Sequence, residues 1–395
     1  MTPYRSSESG NANADANRIV QFAIALRTGT TYSLYGKGES ANTTRIFYKD
    51  LTTGSANDLD DGDWATPTAN AGTGTAAYGL FVFYRRTGLI YGAATSNIWA
   101  FSPTGSAFDN AARALTFTRI FQGIVHSKDN ILYVPYYNNA GAANAKSFIL
   151  KYDGTTWTDA ALTLPDHLVP VSICEYGNYL AVGCAPASGT GNSTVYLWDR
   201  DATLATLSES VDWGVGSLRV LEEVDGELIG ISQKGGQASA GGGAGEGLPA
   251  GSTSHSDRVI FRRLVGNRAV KFLQILADRG PGDINTTKVP IAKQKVDDRL
   301  YFSMIIALGG SVRDGVWSIG KSALDPPFSL VHERTTNNNT ALLTSESIDG
   351  FHVVGDYMFI AYATGSPAVY AMSKTNDDSA GFSHNSSYES KKFNA

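Results

Sequence analysis

Charge is scarce in this sequence. Only 17% of its 395 residues are Asp, Glu, Lys or Arg, against roughly a quarter in an average soluble protein. The formal net charge of −5 offers no general affinity for nucleic acid. Long hydrophobic runs are missing: no stretch approaches the roughly 20 residues of a membrane helix. Met1 to Arg18 is polar and lacks the apolar segment of a signal peptide, so synthesis in the cytoplasm is expected. An apolar period of 3.6 residues is almost absent, which predicts very little helix. The two cysteines, Cys174 and Cys184, flank an apparent hairpin turn at Tyr176-Gly177-Asn178. A two-residue turn there sets position 174 against 181 and 184 against 171. The thiols then fall on opposite faces of the sheet, beyond disulfide reach, and both are expected to be reduced and buried.

Turn formers and aromatics are plentiful. Gly (42), Tyr (19) and Phe (17) stand out, as in chains of many short strands joined by tight turns. The decisive pattern is a repeat. A hairpin recurs around Thr28-Gly29, Thr87-Gly88, Asp129-Asn130, Gly177-Asn178, Asp225-Gly226, Asp297-Asp298 and Gly355-Asp356. An aromatic-centred strand follows each copy, among them Arg45-Ile46-Phe47-Tyr48, Asn97-Ile98-Trp99-Ala100, Thr194-Val195-Tyr196-Leu197-Trp198 and Gly315-Val316-Trp317-Ser318. The period is roughly 54 residues, in the range of propeller arrays.

Sheets that are apolar on both faces need a neighbour on each side, and a closed ring supplies both. The expected fold is all-β, a β-propeller of about seven four-stranded antiparallel blades. Solenoid coils are much shorter than this period, and a pair of sandwiches leaves the recurrence unexplained. Residues 1–17 form a polar arm, too poor in apolar residues to fold alone. The propeller spans 18–393, with a Gly/Ala/Ser-rich loop insertion at 232–256, and 394–395 are a short tail. Ser387 to Phe393 is the candidate outer strand of the last copy, or a latch on the first.

Most motifs are structural. Gly315-Val316-Trp317-Ser318-Ile319-Gly320-Lys321-Ser322 matches a phosphate-loop pattern, but its centre is a repeat strand and Pro326-Pro327 occupy the place of the required helix. Asp153-Gly154-Thr155-Thr156-Trp157 is one residue short of the aspartate-box spacing of sialidase-type propellers and reads as a turn. Asp58 to Asp63 lacks the ligand spacing of a calcium loop and reads as a solvated acidic turn. The histidines at 126, 167, 255, 332, 352 and 384 have no metal-ligand spacing, and there is no nucleophile elbow. The most basic stretch is a hairpin around Gly266-Asn267. It places Arg258, Arg262 and Lys271 on one face and Arg263 and Arg268 on the other, an ordinary solvated edge unless it meets an acidic partner or lipopolysaccharide phosphate. The sequons at Asn42 and Asn285 are by-products of Asn/Thr-rich turns.

The phrases Asp129-Asn130-Ile131-Leu132-Tyr133-Val134 and Lys151-Tyr152-Asp153-Gly154-Thr155-Thr156-Trp157 resemble those of β-propeller structural proteins of tailed-phage virions. The similarity runs from about Arg18 to Phe393 and is one of style. It implies a virion component of the tail, neck or fibre region, assembled in the host cytoplasm. Such a part is present in several symmetry-related copies, holds other particle proteins and contacts the host surface. No nucleic acid, membrane insertion, cofactor, metal or catalytic residue is expected. Two further readings stand beside it. A carbohydrate-binding propeller uses Tyr136, Tyr137 and Trp213 as exposed stacking platforms. A glycoside hydrolase or lyase needs paired carboxylates at the ring centre, where Glu175, Glu222 and Glu223 are the candidates.

Overall fold

The structure, a computed structural model, describes residues 4–5, 18–40, 43–51, 65, 71–73, 79–94, 97–105, 107–115, 117, 119–138, 146–187, 191–201, 209–234, 258–276, 292–308, 311–321, 327–335, 348–354, 357–362 and 368–373. Among them there are strands and turns but no α-helix. After β1 (Tyr4–Arg5), the first sheet takes β2 (Arg18–Thr28), β3 (Thr31–Ser40), β4 (Thr43–Asp50) and β5 (Ala71–Thr73). The second takes β6 (Phe81–Tyr84), β7 (Leu89–Ala94), β8 (Asn97–Phe101) and β9 (Phe108–Ala114), and the third β10 (Ile124–Val125), β11 (Leu132–Asn138), β12 (Lys146–Tyr152) and β13 (Trp157–Leu164). The fourth has β14 (Leu168–Tyr176), β15 (Tyr179–Pro186), β16 (Asn192–Trp198) and β17 (Glu209–Val215). The fifth has β18 (Ser217–Val224), β19 (Glu227–Lys234), β20 (Arg258–Val265) and β21 (Arg268–Leu276). The sixth has β22 (Lys293–Val296), β23 (Arg299–Leu308), β24 (Ser311–Gly320) and β25 (Ser329–Thr335). The last has β26 (Ile348–Val354), β27 (Tyr357–Tyr362) and β28 (Ala368–Ser373), with β1 as its outer strand.

Each sheet is an antiparallel meander in chain order, and the arrangement is that of a β-propeller repeat fold. First strands meet first strands around the middle: β2 lies against β6, β6 against β10, β14 against β18, β18 against β22, and β22 against β26. The series returns on itself where β26 lies against β2.

The hydrophobic core follows the same plan. It is divided among the seams between sheets, one cluster to a seam. Tyr35 and Ile46 of the first sheet pack with Phe81 and Trp99 of the second. Ile149 and Leu162 of the third meet Val182 and Trp198 of the fourth. Tyr301 and Val316 of the sixth meet Phe351 and Ile360 of the last. Phe22, Leu34 and Phe47 of the first sheet pack with Phe359 and Ala361 of the last, which closes the series. Sheets sandwiched in this way bury both faces, so their strands are apolar runs rather than alternating ones. In β15 the burial is continuous from Leu180 to Pro186.

Turn chemistry sets the hairpins. Between Val224 and Glu227, the paired ends of β18 and β19, Asp225 and Gly226 take φ of 52° and 77°, the left-handed pair that a two-residue turn needs. Gly177-Asn178 is likewise a two-residue turn, joining the Tyr176–Tyr179 pair with Gly177 at φ 59°. Three turns differ from expectation. The hairpin expected around Asp129-Asn130 closes on Val125–Leu132 and turns through His126 to Ile131. The first hairpin closes on a Thr28–Thr31 pair, so its turn is Gly29-Thr30. The second closes on Tyr84–Leu89 and turns through the four residues from Arg85 to Gly88. The turn at Gly355-Asp356 lies outside the described residues, between the paired Val354 and Tyr357.

The thiols lie where the turn geometry puts them. Cys174 opposes Ala181 in the seam towards the fifth sheet, while Cys184 faces the third sheet. Both are free and fully buried, and burial pushes both thiols above the usual range. A bulge between Pro170 and Ser172 moves the partner of Cys184 from the expected 171 to Pro170.

Two boundaries are corrected. Ser232, Gln233 and Lys234, expected to open the loop insertion, complete β19; the remainder, 235–257, lies outside the described residues. The outer place of the last sheet is taken by Tyr4–Arg5, paired with Ala371 and Tyr370, rather than by Ser387 to Phe393. The latter also lie outside the described residues.

Several glycines on second strands leave room for bulky neighbours. A Cβ on Gly230 would lie 2.4 Å from Nε1 of the fully buried Trp213, which packs across the seam from β17. Gly230→Ala is therefore expected to destabilise the protein by about 1–3 kcal/mol through overpacking, seen as a lower urea midpoint. A second expectation concerns the closing seam, where His352 of β26 packs near Phe22 of β2 with ring centroids 6.4 Å apart. Burial lowers the pKa of His352 to about 4. The unfolded chain, with an ordinary histidine near 6.5, then binds more protons than the folded one between those values. Stability contributed by the neutral ring is present above pH 6.5 and falls as pH drops towards 4. Comparing denaturation midpoints of wild type and His352→Gln at pH 7 and pH 4.5 checks this: the variant should lose less on acidification.

Candidate functional site

The ring centre is the natural place to look for chemistry, because every first strand brings polar groups there. A first strand is an edge: its outward N–H and C=O groups have no strand to pair with. In this protein side chains of adjoining sheets take up those groups. Gln21 Nε2 donates to Gly79 O at 2.7 Å, across the first seam. Gln122, just before β10, accepts the Ile173 N–H of β14 at 3.1 Å through Oε1. Ser172 Oγ accepts the Leu221 N–H of β18 at 3.1 Å. Gln294 of β22 makes a reciprocal pair with Val353 of β26: Nε2 donates to Val353 O at 3.0 Å, and Oε1 accepts the Val353 N–H at 2.7 Å.

Lys293 is the most connected of these groups. From β22 its Nζ donates to Leu221 O at 2.5 Å and Glu222 Oε2 at 2.9 Å, and lies 3.4 Å from Ile173 O. Its side chain is only 7% exposed. One ammonium thus ties the sixth sheet to the fifth and fourth.

The three candidate carboxylates all belong to such ties. Glu222 holds Lys293. Glu223 pairs with Lys295 and accepts the Gly226 N–H of its own turn. Glu175 accepts from Ser127 N at 2.6 Å and from Ser127 Oγ, joining β14 to the third sheet's turn. Beside it Lys128 Nζ donates to Asn178 Oδ1 at 2.7 Å. His126, fully buried, lies 3.2 Å from Asp129 and 2.7 Å from Arg200 Nη1 through Nδ1. Tyr133 Oη donates to Asp129 Oδ2 at 3.1 Å. Arg200 occupies the left-handed region at φ 73°, a costly conformation for arginine that brings its guanidinium to this cluster. The arrangement holds sheets together and leaves these carboxylates engaged.

The aromatic platforms are not where the sequence suggested. Tyr136, Tyr137 and Trp213 are 5%, 7% and 0% exposed, so the expectation that they stack on sugars from loops is overturned. Tyr136 and Tyr137 lie in β11 and Trp213 in β17, inside seam clusters. Strands on both sides of a seam bury what a single-faced sheet would expose. The exposed large aromatics among the described residues are Tyr32 and Tyr179, each just after a hairpin turn.

The remaining motifs resolve as structure. Gly315 to Gly320 is part of β24, and Lys321 pairs with Asp225 at 2.9 Å and Glu227 at 3.1 Å across the seam. Asp153 Oδ1 accepts the N–H groups of Thr156 at 2.7 Å and Thr155 at 2.8 Å, and those bonds lower its pKa. Trp157 then stacks on Tyr152 with centroids 4.0 Å apart. In the basic hairpin, Arg263 pairs with Glu227 at 3.0 Å, and Arg262 is half-buried and donates to Val215 O. Asp58 to Asp63 and both sequon asparagines lie outside the described residues. Among the described residues no group of three His, Cys, Asp or Glu is placed to hold a metal, and no helix is long and apolar enough to cross a membrane.

The ring-centre glutamines, Ser172 and Lys293 escaped notice in the sequence. Their signal is a lone amide, hydroxyl or amine in or beside an otherwise apolar first strand, which becomes legible only once that strand is known to be an edge.

Neither family models nor curated proteins match the sequence. Among solved structures, YjhT is similar over 83% of this chain and 97% of its own, at 13% identity and a TM-score of 0.44. A 6-phosphogluconolactonase candidate from Bacteroides uniformis is similar over 80% of this chain and 84% of its own, at 12% identity and 0.45. A protein of unknown function from Dyadobacter fermentans is similar over 80% and 96%, at 11% identity and 0.43. Likenesses of this depth bear on neither activity nor substrate.

The ties differ in burial, and substitution should separate them. Lys293→Met leaves Glu222 without its cation and takes one donor from each of two backbone carbonyls in a largely closed site, and is expected to cost about 3–5 kcal/mol. Lys295→Met removes a more exposed pair and should cost under about 1 kcal/mol. Urea denaturation of the two variants beside wild type checks the ranking.

Proposed function

We propose that the chain is a seven-bladed propeller acting as a non-enzymatic structural protein of a tailed-phage particle. It sits in the tail, neck or fibre region, where it holds other particle proteins and presents a face to the host surface. The observation that best supports a scaffold over an enzyme is the engagement of Glu175, Glu222, Glu223 and Lys293 in ties between sheets. A hydrolytic pair needs one carboxyl poised to give a proton and another free to act as base or nucleophile; here the ring-centre carboxylates are occupied in cohesion. The virion assignment rests on the resemblance of Asp129 to Val134 and Lys151 to Trp157 to virion propellers, phrases that lie in and beside β11, β12 and the turn after it.

The test is electron microscopy of particles made with and without this chain, beside the purified protein. Loss of a discrete tail or neck appendage, restored on adding the chain, is the expected result. Unchanged particles, or particles that never contain the chain, would overturn the assignment. Turnover of glycosides by the purified protein, lost in Glu222→Gln while the fold persists, would overturn the scaffold reading instead.

A further inference from the structure

Five large hydrophobic residues are exposed among the described residues, and three of them lie along one part of the rim. Val265 (49% exposed) ends β20, Val270 (43%) stands in β21, and Val215 (45%) ends the neighbouring β17. Strands β17 and β21 lie side by side, and Arg262 of β20 donates to Val215 O at 3.1 Å. Two pairs in the hairpin, Val265 with Arg268 and Arg263 with Val270, place Val265, Val270, Arg263 and Arg268 on a common face. Arg263 is neutralised by Glu227. Arg268 and Lys271 are exposed, and neither has a carboxylate partner among the described residues; Lys271 reaches only Gln274 Oε1 at 3.3 Å.

Among the described residues, strand β21 is also the outermost of its sheet. It runs for nine residues, RAVKFLQIL, with no carboxylate, whereas β9, β13, β17 and β25 each carry at least one acidic residue. A long outer strand presents free N–H and C=O groups in register, ready for an added strand. Its two basic side chains set the sign of what can approach. Pairing with the same edge of a second copy would gather Arg268 and Lys271 of both chains at one interface, with like charges opposing it. A strand carrying carboxylates on both faces meets the opposite situation, and the exposed Val270 offers one of its side chains an apolar seat.

From this juxtaposition we infer that the outer edge of β21 is a docking site for an extended, acidic, β-forming segment of a partner protein, which adds to the fifth sheet as a further strand. One carboxylate of that segment faces Arg268 on the Val270 face of the sheet, another faces Lys271 on the opposite face, and an apolar side chain between them sits against Val270. The inference does not depend on the particle assignment, since it concerns the chemistry of this edge alone.

The experiment uses the full chain and two short soluble probe peptides, one built on a Glu-Val-Thr-Glu core, which sets Glu against Lys271 and Arg268 and Val against Val270, and the other with Lys in place of both Glu. Affinity is measured by titration calorimetry at low and high salt, and backbone hydrogen exchange is followed across 268–276. Preferential binding of the Glu peptide is expected, weakened by salt, with slowed exchange in β21. Arg268→Glu with Lys271→Glu should weaken that peptide about tenfold, from the cross-strand charge terms, and reverse the preference towards the Lys peptide. Val270→Ser should weaken both peptides. If the charge-reversed protein does not fold, Arg268→Gln with Lys271→Gln should erase the preference. Equal binding of the two peptides, binding without protection of 268–276, absence of binding, or self-association that protects this edge would each overturn the inference.

Discussion

A radial stack of sheets leaves one problem that hydrophobic packing cannot solve: the innermost strand of every sheet is an edge in a crowded place. Its outward amides and carbonyls would be costly to bury unpaired, and no strand is there to pair with them. Gln21, Gln122, Ser172, Lys293 and Gln294 meet this need by reaching from one sheet into the backbone of another. These bonds also fix the relative height of adjacent sheets, which apolar packing alone specifies weakly. The seam from the last sheet to the first is packed by Phe22, Leu34, Phe47, Phe359 and Ala361.

Packing on both faces explains several features at once. The two cysteines of one hairpin belong to different seams, so proximity in sequence gives no proximity in space. Glycine on a second strand becomes a packing residue: Gly92 gives way to Trp99 and Gly230 to Trp213, where any Cβ would collide with the indole. The indoles fill the wedge that opens as sheets diverge from the centre. Positive φ at Asp225 and Asp297 is tolerated because each opens a two-residue hairpin turn, where this twist matches that of the strands.

Much of this architecture was legible in the residues, because it depends on local signals. Gly177-Asn178 and Asp225-Gly226 announce two-residue turns, and the apolar runs beside them announce strands. The Thr87-Gly88 signal was read as a tighter turn than it is, since nothing local reveals that Arg85 and Arg86 belong to the loop. Burial was less legible. Tyr136, Tyr137 and Trp213 look like loop aromatics in sequence, yet belong to strands whose outer faces are covered by the next sheet. The role of Glu222 and Glu223 was illegible for a related reason. Their partners, Lys293 and Lys295, lie about seventy residues away, in a different repeat, and meet them only when the sheets stack. The strand taken from Tyr4–Arg5 has the same character, because a two-residue pairing leaves no periodic trace.

The distribution of charge separates cohesion from contact. Of the acidic residues near the fifth and sixth sheets, Glu222, Glu223, Asp225 and Glu227 are matched by Lys293, Lys295, Lys321 and Arg263. A chain this poor in charge has thus gathered opposite signs at a seam, where partial burial and shared partners make them worth more than isolated surface pairs. Basic groups left outside that network, Arg268 and Lys271, carry no such structural duty among the described residues. Residues relieved of cohesion are free to vary without loosening the ring, while those at the centre are not. Recognition on such a scaffold is therefore expected to lie at the rim and on the turn faces, where an outer strand can change its side chains and keep its backbone ladder intact.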